Sequence, residues 1–340
     1  MRKIGLTTTV PVEVLLAAGY TPVDLNNIFI TDKNYAEYID IAERDGFPKS
    51  TCAWIKGLYG VCAAKGIDEI VGVIEGDCSN SRALLEVLAL RGIKVHPFSY
   101  PHRHTISDVE NEIRKFMELF GVLPADVERV RARMNRLRQL AKRVDELTFL
   151  ENKATGFENH LYQVSMSDVN GDAESFEKQL ERAIAAISMR KAEDKNIRLG
   201  YLGVPPMTGD LYEYVEGLNA RVVYNEVQRE FAFPRSEEAP DIFHQYYDYT
   251  YPYDIGFRIA EIKKQIELRR IDAIIHYTQA FCYRAIEDIV LREHLKVPIL
   301  NIEGDKLNCL DARTKLRIEA FIDMLQDVQI SNFKPYNFQR

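Results

Sequence analysis

The chemistry of this 340-residue chain begins with its cysteines, because a thiolate is both a nucleophile and a soft metal ligand. Five cysteines in 340 residues are an odd number and too few for a disulfide scaffold. A reducing compartment would keep them as thiols or metal ligands. No C-x-x-C pair occurs, so the spacing does not match a compact ferredoxin or zinc motif. The five positions are Cys52, Cys62, Cys78, Cys282 and Cys309.

Three of these cysteines are candidate iron ligands. Cys52, Cys78 and Cys282 each fall in a predicted loop or at the end of a predicted element. Cys78 and Cys282 precede predicted helices, whose N-terminal amides favour the thiolate form. A free cysteine also packs well as a small buried side chain, so the residues alone leave the metal open. Three thiolates on a cluster would leave one iron free to bind and polarise a substrate oxygen.

The remaining thiols and one histidine have weaker signals. Cys62 lies in an apolar helical stretch, which predicts a core thiol. Cys309 follows a loop-like stretch and is a lesser candidate ligand that could approach the region of Cys282. His276 ends a predicted strand, where it is either buried and neutral or a catalytic proton donor near Cys282.

Two further segments have two readings each. His102 and His104 resemble a metal-binding pair, but a loop of this composition is more often exposed polar surface. Residues 243–253 are dense in aromatic side chains, which indicates either a packed connecting segment or a wall of a substrate pocket.

The elements around these residues predict an α/β protein. Short apolar runs alternate with helical patterns and short loops, which favours parallel sheets with right-handed crossovers. Pro11 in the first turn and Gly19 at the end bound a first helix. Ser107 and Glu110 predict a capping box at the start of a long charged helical region. Strands are predicted over residues 3–7, 69–74, 93–97, 197–202, 221–224, 272–277 and 298–302.

These patterns divide the chain into three parts. Residues 1–106 form an N-terminal α/β domain, residues 107–195 a helical segment, and residues 196–340 a C-terminal α/β domain with a closing helix. Cys78 and Cys282 each follow the carboxyl end of a strand, which is where open parallel sheets bind ligands. We therefore predict two Rossmann-like parallel-sheet domains, joined by the helical segment, with the cysteines facing a cleft between them.

Composition narrows the classes of partner. The chain has 44 basic and 51 acidic residues, a net charge of -7, and no block of Lys or Arg that would mark a nucleic-acid site. No stretch has the apolar length needed to cross a membrane, and the N-terminus begins like a buried strand rather than a signal peptide. We expect a cytoplasmic protein.

Five ordered segments carry a resemblance to one family. They are Pro11, Val12 and Glu13 with Leu15, Ala17, Ala18, Gly19 and Pro22; Cys52 with Lys56 and Gly60; Glu75 to Ser79 around Cys78; Phe281 and Cys282 with Glu287 and residues 297–305; and residues 313–325. In this order they resemble the D-component family of 2-hydroxyacyl-CoA dehydratases and benzoyl-CoA reductases. Ser79 is a departure, since the family usually has Asp after its second cysteine.

The resemblance implies an oxygen-sensitive [4Fe-4S] cluster held by Cys52, Cys78 and Cys282 in the cleft. It also implies a separate ATP-hydrolysing iron–sulfur activator that injects a low-potential electron. In the dehydratases that electron makes a ketyl radical of a 2-hydroxyacyl-CoA thioester, from which hydroxide leaves. A double-cubane cluster as the family uses it needs six cysteine ligands, and this chain has five, which favours a single cluster.

Three functions remain open at this point. The first is a dehydratase subunit that works with a sister D-component chain. The second is a homodimeric ATP-dependent reductase of the double-cubane or benzoyl-CoA reductase type. The third is a non-catalytic, cluster-carrying electron-transfer protein. No Walker A pattern occurs, so in each case we expect ATP hydrolysis to belong to the activator.

Overall fold

A computed structural model describes residues 2–304 and 309–333. Its first half contains a four-stranded sheet in which every neighbouring pair of strands is parallel. The strands are β1 (Arg2–Leu6), β2 (Tyr20–Asp24), β3 (Glu69–Glu75) and β4 (Lys94–Ser99). The helices between them are α1 (Val12–Ala17), α2 (Leu25–Thr31), α3 (Tyr35–Arg44), α4 (Ala53–Lys65) and α5 (Ser79–Leu90).

A helical region follows. It consists of α6 (Ile106–Phe120), α7 (Pro124–Phe149), α8 (Gly156–Val164), two 3-10 turns (Ser165–Ser167 and Val169–Gly171) and α9 (Ala173–Ser188). The predicted capping box at Ser107 is wrong: the N-cap of α6 lies two residues earlier, at Thr105, whose hydroxyl accepts from the Asp108 amide. No helix within residues 2–304 and 309–333 has the length and apolarity needed to cross a bilayer.

The second half repeats the architecture of the first. Its four strands are again all parallel. The strands are β5 (Ile197–Gly203), β6 (Ala220–Asn225), β7 (Ala273–Gln279) and β8 (Ile299–Gly304). The helices are α10 (Leu211–Gly217), α11 (Glu226–Phe231), α12 (Ile242–Tyr247), α13 (Ile255–Arg269), α14 (Arg284–His294) and α15 (Ala312–Phe333).

Both sheets have the same strand order, β2-β1-β3-β4 and β6-β5-β7-β8. In each half the second strand lies on one side of the first strand, and the third and fourth strands lie on its other side. Loops therefore diverge at the carboxyl ends of β1 and β3, and of β5 and β7, which opens a crevice at each position. The predicted α/β fold with two Rossmann-like parallel-sheet domains is confirmed.

Strand β2 is an element that the sequence patterns did not reveal. It contains Pro22, which has no amide hydrogen to give to a neighbouring strand. β2 is the edge strand and pairs only with β1, so a proline is tolerated there. Gly19, with φ +81°, closes α1 and leads directly into β2, as predicted for the helix end.

Two buried ion pairs tie α7 to both halves. Arg138 on α7 binds the carboxylate of Glu13 on α1, and both side chains are almost completely buried. Seven residues further along α7, Asp145 accepts from Arg269 of α13 at 2.8 and 2.5 Å. Helix α7 therefore connects the first half to the second half through these two ion pairs.

Most of the aromatic side chains of residues 243–253 pack in a hydrophobic core, as predicted if this stretch is a packed connecting segment. Phe243, Tyr246 and Tyr249 belong to the second half in sequence but lie in the hydrophobic core of the first half. The Tyr246 hydroxyl donates to Glu13 Oε2 at 3.0 Å. Tyr251 differs from these residues, because it lines the cavity described below.

Candidate functional site

A cavity of about 460 Å³ lies where the carboxyl ends of the two sheets meet. This cleft cavity is bounded on one side by residues that follow or end β1, β2 and β3, and on the other by residues around the ends of β5, β6 and β7. These residues include Thr7, Asp24, Asp77, Val204, Val227 and Gln279. The site therefore lies at the edge where open parallel sheets bind ligands.

Three cysteines share the wall of the cleft cavity. Cys52 and Cys78 come from the first half and Cys282 from the second. Cys52 is the N-cap of α4, Cys78 is the N-cap of α5, and Cys282 lies two residues before α14. The unpaired amides at a helix start favour negative charge, so each thiol is placed where a thiolate is stabilised.

Each of these thiols has a raised pKa, because burial disfavours the thiolate. Burial raises the pKa of Cys52 to about 11, and repulsion from the other two thiolates adds to the shift. Burial also raises the pKa of Cys78, followed by the charge of Asp77. For Cys282 burial again raises the pKa, whereas the amide and charge of Arg284 lower it.

The backbone next to two of the cysteines adopts left-handed conformations. Gly76, with φ +88°, precedes the Asp77–Cys78 turn, and a Cβ atom there would lie 2.6 Å from Tyr100 Cβ. Phe281, immediately before Cys282, has φ +65° although it is not glycine. Such a conformation costs a side-chain-bearing residue about 1–2 kcal/mol. The fold therefore accepts strain in the turn that directs Cys282.

A buried arginine borders the third cysteine. Arg284 Nη2 donates to the Tyr251 carbonyl at 3.0 Å, and its guanidinium lies 4.5 Å from the centre of the Tyr251 ring. Its Nη1 atom donates to Glu287 Oε2 at 3.2 Å, and Glu287 also binds Arg258. Arg258 in turn binds Glu226 at 2.8 and 3.0 Å. Arg284 is the only lysine or arginine among the described residues of the wall.

The three thiols of the wall have the donor chemistry of an iron–sulfur cluster, which is held chiefly by cysteine thiolates. Within the described ranges no three His, Cys, Asp or Glu side chains are placed to hold one ion. In a cluster each thiolate binds a different iron, so its ligands stand further apart than those of a single ion. Several buried atoms of the wall also lack a hydrogen-bond partner in the described part of the chain, which is costly unless a ligand or water satisfies them. They include Thr7 Oγ1, Trp54 Nε1, Thr208 Oγ1 and Gln279 Nε2.

The other cysteines and His276 lie elsewhere. Cys62 is 2% exposed within a hydrophobic cluster, as expected for a core thiol, and burial raises its pKa to about 12. Cys309 is exposed and is not among the described residues of the wall. His276 lies in β7, with Nδ1 2.8 Å from Asp288 Oδ1, and is also outside the wall. A catalytic role for His276 stays a prediction without support from this geometry.

The histidine pair of the predicted loop is divided between two environments. His104 Nε2 lies 2.6 Å from the Tyr247 carbonyl, and its ring stacks on Tyr253 with centroids 3.8 Å apart. His102 is exposed and lines a separate shallow depression. Neither lies in the wall of the cleft cavity as far as the structure describes it.

His160, at the cleft cavity, was missed by the sequence analysis. Its Nδ1 atom lies 3.1 Å from Gln228 Nε2, and its ring stacks on Tyr212 with centroids 5.0 Å apart. Burial lowers the pKa of His160 to about 4, so the imidazole is neutral. Because Nδ1 accepts from Gln228, the proton is on Nε2, which makes His160 a hydrogen-bond donor. No sequence motif marks this part of α8.

The sequence analysis also missed Asp24, although this residue fits the pattern of a helix N-cap. It ends β2 and is the N-cap of α2, where its Oδ1 atom accepts from the Asn26 amide at 2.9 Å. An aspartate between a strand and an apolar helical run is a typical N-cap. Recognising that signal requires recognising β2 first.

Together these features define a class: a bilobal parallel α/β protein in which both lobes present thiols to one cleft. The chain belongs to the 2-hydroxyglutaryl-CoA dehydratase D-component family, whose sequence model matches residues 7–325. No individually curated protein matches the chain.

Proposed function

We propose that this chain is a cytoplasmic iron–sulfur protein of the 2-hydroxyacyl-CoA dehydratase type. It would dehydrate an acyl-CoA thioester with an electron delivered by an ATP-hydrolysing activator. The observation that supports this most is the shared cavity wall of Cys52, Cys78 and Cys282. A [4Fe-4S] cluster held by these thiolates would supply low-potential electron chemistry and one iron open to a substrate oxygen.

The remaining wall residues suit a bound acyl group. Trp54, Leu58 and Phe231 provide apolar surface that excludes water from a reactive intermediate. The neutral His160 offers Nε2–H to an oxygen of the substrate, and Gln279 Nε2 is a second unpaired donor. These donors hold and orient a polar group within an otherwise apolar pocket.

The nucleotide part of the coenzyme belongs outside the cleft cavity. Phosphate groups require cationic partners, and Arg284 in the wall is already bound to Glu287. We therefore place the acyl end inside and the phosphates at the mouth. A sister D-component chain or a second copy of this chain would supply further contacts there.

A reductase of the benzoyl-CoA type is the second candidate. Trp54, Tyr212 and Tyr251 give the wall several flat aromatic faces, which suit a planar acyl group. Five cysteines fall short of the six thiolates of a double-cubane cluster, so this alternative would also use one [4Fe-4S] cluster.

Anaerobic reconstitution tests the ligand assignment. We expect iron and sulfide equivalent to one [4Fe-4S] cluster per chain, with a matching EPR spectrum after reduction. Substitution of Cys52, Cys78 or Cys282 by Ser should remove or destabilise that cluster. Cys62→Ser is the matched control, because Cys62 is buried in the same half but lies outside the cavity wall. Loss of iron in the control would contradict the assignment.

Activity is tested with a panel of 2-hydroxyacyl-CoA and enoyl-CoA thioesters. Turnover should require a family activator, ATP and a strong reductant together. Turnover without activator and ATP would contradict the proposal. A protein that binds its cluster but stays silent under every condition would instead be a non-catalytic electron-transfer protein.

A further inference from the structure

The cleft cavity contains a second chemical feature, on the side of β2. Asp24 ends β2, and Asp168 lies between the two 3-10 turns of the helical region. The Asp24 amide donates to Asp168 Oδ2 at 2.8 Å, so the two residues are in direct contact. They are 5% and 8% exposed. Two buried aspartates from different parts of the fold are therefore joined by a bond from the backbone of one to the carboxylate of the other.

Neither carboxyl group has a cationic partner in the described part of the chain. Asp24 accepts from the amide and the side chain of Asn26, at 2.9 and 2.8 Å, and from the Ser167 hydroxyl. Asp168 accepts from the Asn170 amide at 3.0 Å and from the side chain of Asn27. All of these facing groups are neutral.

Double ionisation of two buried carboxyl groups without a cation is unfavourable, because desolvation and mutual repulsion disfavour the second charge. Burial raises the pKa of Asp24. Burial, and then the charge of Asp24, raise the pKa of Asp168 to about 6. Asp168 therefore holds a proton at pH values below about 6, and Asp24 holds one more readily than an exposed aspartate does.

Asp24 opens on the cleft cavity beside a hydroxyl group that has no partner among the described residues. Asp24 and Thr7 both line the cavity, and Asn26 Nδ2 connects them by donating to Asp24 Oδ1 and to the Thr7 carbonyl. Thr7 is 4% exposed, and its Oγ1 atom has no hydrogen-bond partner among the described residues. A buried hydroxyl without a partner is unfavourable, so it indicates a position for a polar group of a ligand.

The turn that contains Asp168 includes two residues in an unfavourable backbone conformation. Val169 and Asn170 have φ values of +49° and +53°, and a left-handed conformation is rare for a β-branched valine. Met166 and Val169 anchor this turn in the hydrophobic core of the helical region. The core packing thus keeps Asp168 against Asp24.

We propose that Asp24 is a catalytic proton donor and acceptor of the cleft cavity and that Asp168, which binds the Asp24 amide, is its positioning partner. This inference rests on the proposed dehydratase function and adds a residue to it. The pair lies on the β2 side, apart from the thiols that follow β3 and β7, so one cavity would combine electron chemistry and proton chemistry.

The proton balance closes over one turnover. After the activator has supplied one electron to the thioester, the bond between carbon 2 and the hydroxyl oxygen breaks. The protonated pair gives its proton to the departing hydroxide, which leaves as water. The resulting carboxylate then takes a proton from carbon 3, and the electron returns to the protein. The net change is loss of one water, with the pair protonated again.

Infrared difference spectroscopy between acidic and alkaline pH tests whether the two aspartates hold a proton, without any need for activity. The reconstituted protein should show a protonated carboxyl band that disappears with a midpoint near pH 6. That band should be absent from Asp168→Asn. A wild-type spectrum without such a band would overturn the proposal.

Kinetics test the role of the proton. Asp24→Asn should keep its iron and KM but lose about 100-fold or more in kcat, the usual range for a lost general acid or base. Asp24→Glu should recover part of that loss. Asp32→Asn is the matched control, because Asp32 follows the far end of the same helix and binds Lys65 outside the cleft cavity. Cluster content verifies that each variant is folded.

The outcomes separate the two proposals. A wild-type protein that turns over no thioester with activator, ATP and reductant contradicts the proposed function, and this inference with it. An active wild type with an equally active Asp24→Asn variant contradicts the proton role alone.

Discussion

Two regions of this protein bury carboxyl groups, and they do so in opposite electrostatic settings. In the framework, Glu13 and Asp145 each face an arginine of another element. Beside the cleft cavity, Asp168 binds the Asp24 amide, and both carboxyl groups otherwise face neutral groups. The residue types and the degree of burial are similar, but the partners differ.

The partners decide the charge state. Burial alone would raise the pKa of Glu13, but the guanidinium of Arg138 outweighs it and holds that pKa below its ordinary value. The pKa of Asp145 is lowered in the same way by Arg269. Without a cation, the pKa of Asp168 rises to about 6 instead. A buried carboxyl group is thus a fixed structural anion in one region and a holder of protons in the other.

Removal of a framework arginine should have the largest effect. Arg138→Met leaves Glu13 buried without its cation, so we expect a loss of about 3–5 kcal/mol in the free energy of unfolding at pH 7. The lowered pKa of Glu13 means that its ion pair stabilises the fold above the ordinary value of 4.5 and that this stability is lost as pH falls. Urea denaturation at pH 7 and in acid should show the two proteins converging at low pH. A loss below about 1 kcal/mol at pH 7 would contradict the framework role.

Removal of a cavity carboxyl group should have a smaller effect with the opposite dependence on pH. The folded-state pKa of Asp168 lies above its ordinary 3.8, so its stability contribution is present at low pH and is lost as pH rises through about 6. The stability of Asp168→Asn relative to the wild type should therefore rise by on the order of 2 kcal/mol between pH 4 and 8. Denaturation curves over that range measure it. A difference that stays constant with pH would show that the carboxyl group ionises normally.

A cation introduced beside Asp168 should lower the pKa of that carboxyl group, as Arg138 lowers the pKa of Glu13. Asn27 is partly exposed and its side chain reaches Asp168, so Asn27→Lys would place an ammonium group there. We expect the pKa of Asp168 to fall by about one unit, equivalent to about 1.4 kcal/mol. A carbon-13 NMR titration of labelled aspartate carboxyl groups would follow the change. An unchanged midpoint would mean that the mutual repulsion of the pair is not what raises this pKa.

Removal of a surface ion pair on α7 should have the smallest effect on the free energy of unfolding. Lys142 lies one turn beyond Arg138 on α7 and binds Glu237 at 3.0 Å, with both side chains close to half exposed. Exposed pairs contribute about 0–1 kcal/mol, so Lys142→Met should change the free energy of unfolding by less than about 1 kcal/mol. It is the matched control for Arg138→Met. An equal loss in both variants would attribute the effect to α7 itself rather than to burial.

Local patterns in the sequence were sufficient for much of the fold. Apolar runs with helical stretches between them predicted seven of the eight strands and their parallel arrangement. The same patterns put Cys78 and Cys282 beyond strand ends, and the structure brings both to one wall together with Cys52. Such signals can be read because strand periodicity and helix starts depend on neighbours in the chain.

Glu13 shows where local information ends. The sequence marked it as part of a motif, but its partners come from α7 and α12, 125 and 233 residues away. Edge strand β2, with its proline, was likewise recognisable only once β1 lay beside it.

The cavity carboxyl pair was beyond sequence reasoning altogether. Asp24 and Asp168 are 144 residues apart, and each is unremarkable as an N-cap or turn residue by itself. Their charge state arises only when the fold removes water from both groups and provides no cation. The sequence by itself determined the parallel α/β architecture and the candidate thiols. The tertiary structure decided which buried acids are anions and which hold a proton, because a pKa depends on burial and on partners that the fold alone brings together.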